Sequence, residues 1–386
     1  MTDLFTHVRV LASEIGPRGT GSTGEAAAAD YVAGYLDSLC LNIKRNTFRA
    51  VSSQNAFPIS IDLIALLAII VYPLKIPFTP WIAAGLALCA APLLWIAIIH
   101  SESPLRFLLP QVTSRNVLAQ IEPQNELHQR VVILAHLDTN RCRLAWQSAT
   151  VQRLEPLTWL TLAILGSLGL IYLTGAFLGG SLILYWISFI PGIYILGTIL
   201  TLYRDEKTPF SPGAHDNAAS VGVALEIAQR LSKEPLDHTQ IWLAFTGAEE
   251  TDHKGLKVIL SEYEAELKQA VFLDLEGVGS GDIVYLTRQG LCKHYHPDPD
   301  LLKMVEQTAV SHAELNIKGA QMLMEDEVRT LRNSKFRAIC IAGRDPQTGS
   351  LPHWHRSDDT IDTISTETME RATKFVIALL KEIDGS

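Results

Sequence analysis

The sequence has 386 residues, of which 41 are acidic and 32 are basic, so its formal net charge is −9. This negative balance, with no stripe of basic and aromatic residues, argues against a nucleic-acid-binding protein. The five cysteines are odd in number and far apart, which argues against a disulfide framework or a thiolate zinc site.

The first 57 residues predict the beginning of an α/β domain. Helices are expected over 4–14 and 23–39, on either side of the turn Gly-Pro-Arg-Gly-Thr-Gly-Ser, and a strand is expected over 42–50. The N-terminus has no basic segment followed by an apolar one, so we expect no secretory signal peptide.

Residues 58–100 predict a first transmembrane hairpin. A bilayer core requires about 20 apolar residues per helix, and the stretch 81–99 meets that requirement. The preceding stretch, 59–74, is a weaker candidate, because Asp62 lies near its start and Lys75 follows its end.

Residues 156–203 predict a second transmembrane hairpin, since they contain no Asp, Glu, Lys or Arg. Buried helical hairpins inside a soluble protein are the alternative, but paired apolar runs joined by short Pro or Gly turns favour a membrane. Basic residues flank the hairpins on the soluble side, against Lys75 alone in the far turns. The positive-inside rule therefore predicts a multi-pass membrane protein whose α/β domain lies in the cytoplasm.

Residues 101–155 and 204–386 continue the α/β domain. Apolar strands such as Val-Val-Ile-Leu-Ala alternate with amphipathic helices, which is typical of a mostly parallel sheet covered on both faces. We expect a mostly parallel mixed sheet flanked by helices, interrupted by the two hairpins. The predicted strands are 115–121, 131–135, 240–245, 270–274 and 337–342, and the predicted helices are 217–231, 298–310 and 366–383.

Polar residues follow several of these strands, at the edge where open α/β sheets place their sites. His136 and Asp138 are two residues apart at a strand end and project to the same side, which suits a metal ligand and its orienting carboxylate. Asp216 precedes a helix, where the simplest role is an N-cap. Glu249 and Glu250 are adjacent carboxylates after a buried strand, and a cation or a proton is needed to offset their repulsion.

Two later segments supply further candidates and leave alternatives open. The strand 270–274 is expected to end on Asp274, and Glu276 follows two residues later. His355 lies in a polar loop before the last helix, with His353 beside it. From the residues alone, Glu276 is an alternative to Asp274, and His353 is an alternative to His355.

The ordered set His-x-Asp, Gly-x-x-Asp-Asn, Glu-Glu, Leu-Asp and His-x-x-Asp-Asp-Thr resembles the co-catalytic zinc aminopeptidases, peptidase family M28. The opening Gly-Pro-Arg-Gly-Thr-Gly-Ser and the segment Arg-Asn-Val-Leu-Ala extend this resemblance over nearly all of the predicted α/β domain. The resemblance implies an exopeptidase that acts on peptides with a free N-terminus. The apolar hairpins predict that this enzyme is membrane-bound, with the lipid bilayer as its second partner.

The same resemblance implies two bound Zn²⁺ ions bridged by Asp216. Glu249 would be the general base and Asp138 the orienting partner of His136. The implied ligands are His136, Asp216 and Asp274 for one ion and Asp216, Glu250 and His355 for the other.

One feature departs from the family pattern. Trp354 stands where some members have a Tyr, and the Trp-His pair together with Leu-Asp-Leu also resembles the glutaminyl cyclases, which use a single zinc. A cyclase-like enzyme is therefore one alternative, and a catalytically inactive membrane-bound binding module of the same fold is another. The complete set of ligands together with Glu249 argues against the inactive module.

Overall fold

The computed structural model describes residues 4–74, 76–100, 105–147 and 150–385. Lys75 and residue 101, two positions used above to delimit the first hairpin, lie outside these ranges. The chain divides into an α/β unit, Met1–Ala50, Gln111–Gln152 and Pro209–Ser386, and a helical unit, Val51–Pro110 and Arg153–Thr208.

An eight-stranded mixed sheet organises the α/β unit, with strand order β1-β2-β4-β3-β5-β8-β6-β7. The central strands β4, β3, β5 and β8 are parallel, whereas β2 pairs antiparallel with β4 and β6 pairs antiparallel with β8. This confirms the predicted mostly parallel mixed sheet. The strands are β1 (Asn42–Val51), β2 (Gln111–Ile121), β3 (Gln129–His136), β4 (Thr239–Thr246), β5 (Val271–Glu276), β6 (Asp282–Arg288), β7 (Lys318–Gln321) and β8 (Arg337–Arg344).

Helices of this unit cover both faces of the sheet, because alternate residues of the central strands are apolar on both sides. These helices are α1 (Leu4–Val8), α2 (Thr23–Ser38), α8 (Ser220–Lys233), α9 (Glu249–Asp252), α10 (Lys254–Glu262), α11 (Glu264–Leu267), α12 (Pro299–Ser311), α13 (Glu327–Asn333) and α14 (Thr366–Asp384). On one face of the sheet, Ile133 of β3 and Leu243 of β4 pack with apolar residues of α8 and α14. On the other face, Leu134 of β3 and Phe272 of β5 pack with apolar residues of α10 and α13.

The helical unit contains α3 (Ala56–Val71), α4 (Thr79–His100), α5 (Leu154–Phe177), α6 (Leu182–Ile187) and α7 (Phe189–Asp205). Among the described residues, three stretches are long and apolar enough to cross a membrane, namely Thr79–His100, Val151–Phe177 and Leu182–Asp205. Helix α3 has 16 residues and spans only about 24 Å at 1.5 Å per residue.

Small residues form much of the interior of this unit. Ala65 and Ala68 of α3 and Ala84 and Ala87 of α4 are buried in a single cluster, and such residues allow helices to approach closely. Large apolar side chains point outward instead, for example Ile190, which is 74% exposed. A helix that is apolar on its outer face is typical of a membrane span.

Candidate metal centre

The parallel register of β3 and β5 brings two candidate ligands to one level of the sheet edge. Leu134 of β3 pairs with Asp274 of β5, so His136 and Glu276, each two residues further on, end their strands side by side. The two side chains meet, with His136 Nε2 lying 3.5 Å from Glu276 Oε2.

Asp216 links this pair to a second imidazole. Its Oδ1 lies 3.1 Å from Nε2 of His136, and its Oδ2 lies 3.3 Å from Nε2 of His355. Glu250 Oε2 lies 2.9 Å from the same nitrogen of His355. One carboxylate therefore faces two histidines, one through each oxygen, and all of these side chains are buried.

Asp274 does not join this arrangement. The sequence prediction ended the strand on Asp274, but β5 continues to Glu276, and Asp274 groups instead with Asp326 and Cys340. Burial and the nearby Asp326 raise the pKa of Asp274 well above its ordinary value. The geometry thus favours Glu276, the alternative left open by the sequence, over Asp274.

Asp138 also has a different contact from the one expected. His136 Nδ1 donates to the backbone oxygen of Asp138 at 2.9 Å, whereas the nearer carboxylate oxygen is 3.8 Å away. The carboxylate accepts the backbone N–H groups of Glu249 and Glu250 at 3.1 and 3.2 Å and the Thr20 hydroxyl at 2.7 Å. Asp138 therefore fixes the Glu249-Glu250 turn with its side chain and the His136 ring with its main chain.

Asp359 and Arg18 hold the loop that carries Asp216, and sequence reasoning assigned neither of them a role. The Asp359 carboxylate accepts the backbone N–H groups of His215 and Asp216 at 2.6 and 3.1 Å. The buried Arg18 guanidinium donates to the backbone oxygens of Gly213 at 2.8 Å and of Leu137 at 2.9 Å. Asp359 belongs to the His-x-x-Asp-Asp-Thr motif and Arg18 to the Gly-Pro-Arg turn, so both residues were part of motifs visible in the sequence. The backbone groups that they contact are distant from them in sequence.

Asn217 ties the same loop to the end of β5. Its amide nitrogen donates to the Leu275 oxygen at 2.9 Å, and its amide oxygen accepts the Gly277 N–H at 3.1 Å. Because Glu276 lies between these two positions, the loop bearing Asp216 and the strand bearing Glu276 are fixed to each other.

The electrostatics of the cluster favour a bound cation. Burial raises the pKa of Glu249 well above its ordinary value and that of Glu276 to about 7, and neighbouring carboxylates add to both effects. Burial alone lowers the pKa of His136, but Glu276 and Asp216 raise it well above its ordinary value. The buried carboxylates therefore give the cluster a strongly negative electrostatic potential, which a divalent cation would neutralise.

The donor atoms fit zinc. Since the Nδ1–H of His136 donates to a backbone oxygen, the lone pair of the ring lies on Nε2. This nitrogen faces the carboxylates of Asp216 and Glu276, so a cation or a proton must lie between Nε2 and the carboxylate oxygens. Two groups of three candidate ligands share Asp216, and within each group the ligand atoms lie within 4.8 Å of one another. The groups are His136, Asp216 and Glu276, and Asp216, Glu250 and His355.

Two indole rings lie beside the second imidazole. The ring centroids of Trp146 and Trp354 are 5.1 and 5.3 Å from that of His355 and 5.6 Å from each other. His353, the alternative to His355, instead has its Nδ1 3.2 Å from Asp358 Oδ2. The loop before the last helix thus contributes His355 to the centre, and the rings of Trp146 and Trp354 form an apolar wall beside it.

Comparison with known proteins shows what the chain is similar to in sequence and in fold. The sequence profile of Peptidase family M28 matches residues 203–380. Endoplasmic reticulum metallopeptidase 1 of Homo sapiens is 27% identical over 187 residues, covering 46% of this chain and 19% of that protein. Aminopeptidase YwaD of Bacillus subtilis (strain 168) is 28% identical over 185 residues, covering 46% of this chain and 39% of that protein.

Solved structures share the fold at low identity. A zinc aminopeptidase from Bacillus subtilis has a TM-score of 0.58 and 16% identity, covering 98% of this chain and 94% of that one. A glutaminyl cyclase from Bacteroides thetaiotaomicron has a TM-score of 0.57 and 16% identity, covering 98% and 96%. The α/β unit has the fold of the zinc aminopeptidases. Its residues 203–380 are similar to peptidase family M28.

The choice between Glu276 and Asp274 can be tested by metal binding. We expect Glu276→Ala to weaken binding at one of the two groups, so that the chain retains about one divalent ion after dialysis. Asp274→Asn should retain the wild-type metal content, because its side chain lies in a different cluster. Metal analysis of both variants alongside wild type measures the difference. Loss of metal from Asp274→Asn with full retention in Glu276→Ala would restore the original assignment.

Proposed function

We propose that the chain is a membrane-embedded di-zinc aminopeptidase that hydrolyses N-terminal residues from peptides. The observation that carries the proposal is the position of Asp216, which presents one carboxylate oxygen to His136 and the other to His355. That arrangement is what a carboxylate bridging two metal ions requires.

The proposed ligands are His136, Asp216 and Glu276 for one Zn²⁺ and Asp216, Glu250 and His355 for the other, with Glu276 replacing Asp274 of the sequence prediction. Bound zinc would supply Lewis-acid activation of water and of the peptide carbonyl. Asn140 donates to Glu250 Oε2 at 2.8 Å and so orients that ligand.

Glu249 is the proposed general base. A carboxylate oxygen of Glu249 lies within 4.8 Å of ligand atoms of His136 and Glu250, close enough to reach a water molecule at the centre. Glu249 would take a proton from that water and deliver it to the departing amine. The negative field of the buried carboxylates would attract the charged N-terminal amine of a peptide, which favours exopeptidase action.

A glutaminyl cyclase is the second candidate, because Trp354 lies against His355 and cyclases are among the structural neighbours. Such an enzyme would release ammonia from N-terminal glutamine without hydrolysing a peptide bond. The bridging position of Asp216 favours the aminopeptidase, since a single-zinc cyclase needs no bridging carboxylate.

A substrate panel tests the proposal against this alternative. The purified full-length chain in detergent should release free amino acids from aminoacyl amides and unblocked peptides. N-acetylated peptides should not react, because the free amine is required. Two zinc ions per chain should accompany full activity. One zinc per chain, with ammonia release from N-terminal glutamine and no peptide cleavage, would identify a cyclase instead.

Replacing the proposed base separates its role from metal binding. Glu249→Gln should lower kcat by about 10³-fold, within the range of general-base contributions, while zinc content stays near that of wild type. The same substitution at the exposed Glu264 in α11 is a matched control and should leave both quantities unchanged. Retention of most activity in Glu249→Gln would show that another group acts as the base.

The apolar helices support a location in a membrane. The stretches Thr79–His100, Val151–Phe177 and Leu182–Asp205 are long enough to span one, and their outward side chains are apolar. We propose that both apolar segments of the chain enter the bilayer. The basic residues that flank them in sequence support, by the positive-inside rule, a cytoplasmic location of the α/β unit.

Membrane fractionation tests this location. The chain should remain in the pellet after an alkaline carbonate wash, since transmembrane helices resist extraction. Ile190→Arg should lower the amount of inserted protein, because arginine near a span centre costs about 2.5 to 3.5 kcal/mol. Val310→Arg is the control, since Val310 is similarly exposed, at 79%, but lies in α12 of the α/β unit. Release of the wild-type chain by carbonate would contradict a transmembrane location.

A further inference from the structure

The turn between β4 and α9 places the proposed base, Glu249, and contains an unusual backbone conformation. Ala248, immediately before Glu249, has a φ of 54° and a ψ of 34°. Residues other than glycine seldom occupy this left-handed region, and such a conformation persists only where the surrounding structure holds it. The contacts of Ala248 therefore bear directly on the direction in which the Glu249 side chain leaves the backbone.

A buried glutamate near the start of α2 supplies such a contact. Glu25 Oε1 accepts the backbone N–H of Ala248 at 3.2 Å and the hydroxyl hydrogen of Ser114 at 2.7 Å. Glu25 Oε2 accepts the backbone N–H of Gly21 at 2.7 Å. A carboxylate oxygen has two lone pairs, so Oε1 can accept both of its hydrogens at once. Glu25 is only 1% exposed, so little water competes for these contacts.

The Glu25 carboxylate is one part of a continuous set of contacts to the turn. The N–H of Gly247 donates to Asn116 Oδ1 at 3.1 Å, and a methyl group at Gly247 would lie only 2.7 Å from Glu25 Oε1. The four successive N–H groups of residues 247–250 are accepted by side-chain oxygens of Asn116, Glu25 and Asp138. Side chains from α2, from β2 and from the segment after β3 thus hold the start of the turn.

Within this set, Glu25 holds the residue with the left-handed conformation. A catalytic base must be kept in a productive geometry to be effective. Accepting the aminopeptidase mechanism proposed above, we infer that Glu25 is a positioning residue for Glu249. Its carboxylate holds the N–H of Ala248 and thereby directs the Glu249 side chain towards the metal centre.

A purely structural role in α2 is the alternative. Glu25 lies in the first turn of that helix, where an acidic residue is favourable. Ser22 caps the same turn, and its Oγ accepts the N–H of Glu25 at 3.2 Å. Such a role does not require the contact with Ala248, which lies 223 residues away in sequence. The experiment must therefore separate the stability of the helix from the placement of the base.

Kinetics of the zinc-loaded full-length chain test the inference. Glu25→Ala should lower kcat by about 10- to 100-fold, the size of effect expected when a reacting group is misplaced by about 1 Å. KM and zinc content should stay within about twofold of wild type, because no proposed ligand is changed and Asp138 still holds Glu250. Glu25→Gln should recover most of the lost kcat, because its amide oxygen can still accept the N–H of Ala248.

Two variants in the same region of the chain are the matched controls. Ser22→Ala removes the cap of α2 but leaves the Glu25 carboxylate in place, so it should lower the unfolding temperature and leave kcat unchanged. Asp30→Ala removes an exposed carboxylate of α2 that pairs with Arg45 at 2.8 Å, and it should leave kcat unchanged. If Glu25→Ala does not fold, Glu25→Met takes its place, because its side chain is of similar length but has no oxygen to accept the N–H.

Hydrogen exchange provides a readout that does not depend on turnover. The Ala248 amide is buried and hydrogen-bonded, so a peptide covering residues 247–252 should exchange slowly in wild type. Its exchange rate should rise by about tenfold or more in Glu25→Ala, since the buried N–H loses its acceptor. The rise should be much smaller in Glu25→Gln and absent in Ser22→Ala.

The outcomes separate this inference from the proposed function. A wild-type chain that cleaves no peptide would refute the proposed function, while the exchange of residues 247–252 would still decide whether Glu25 holds the turn. Cleavage by wild type with an unchanged kcat in Glu25→Ala would overturn the positioning role. A loss of kcat in Ser22→Ala as large as that in Glu25→Ala, or equal losses in the Ala and Gln variants together with loss of zinc, would show a structural role and overturn it as well.

Discussion

Buried negative charge at the carboxyl edge of the central strands is the constraint on which the site depends. The carboxylates of Asp216, Glu250 and Glu276 lie around two imidazoles, with Glu249 close by and little solvent to screen them. Like charges at such distances repel strongly in a low-dielectric environment. The arrangement is stable only if cations or protons offset the repulsion, so metal binding and local folding are coupled.

A layer of backbone hydrogen bonds holds this charge in position. Asp138 and Asp359 each accept two N–H groups from adjacent residues, while Arg18 donates to carbonyl groups beside His136 and Asp216. The segments that carry His136, Asp216 and Glu250 are thereby fixed through their main chains, which leaves these candidate side chains free to face the proposed metals. Such supporting contacts orient ligands and tune the site.

Some residues that support the site lie outside the segment that matches the family profile. Arg18 and Thr20 belong to the N-terminal turn, whereas the M28 match begins at residue 203. The helical unit enters the sequence at two points, between β1 and β2 and between β3 and the loop of Asp216. Such insertions are tolerated where the affected backbone lies in loops, and the sheet itself is uninterrupted.

The sequence by itself determined the parts that depend on local pattern. Apolar runs without charge indicated the helical segments, short apolar strands alternating with amphipathic helices indicated the sheet, and the order of polar motifs indicated the family. The candidates His136, Asp216, Glu250 and His355 meet in the fold because each follows or faces the carboxyl edge of a parallel strand.

Tertiary structure alone showed that Glu276, and not Asp274, lies beside His136 and Asp216, and it alone showed the contacts of Asp138. A strand boundary is uncertain by a few residues in sequence, because propensity does not specify where pairing ends. The register of β5 against β3 placed Glu276 level with His136. The contacts of Arg18 and Asp359 join residues distant in sequence, so local pattern could not predict them.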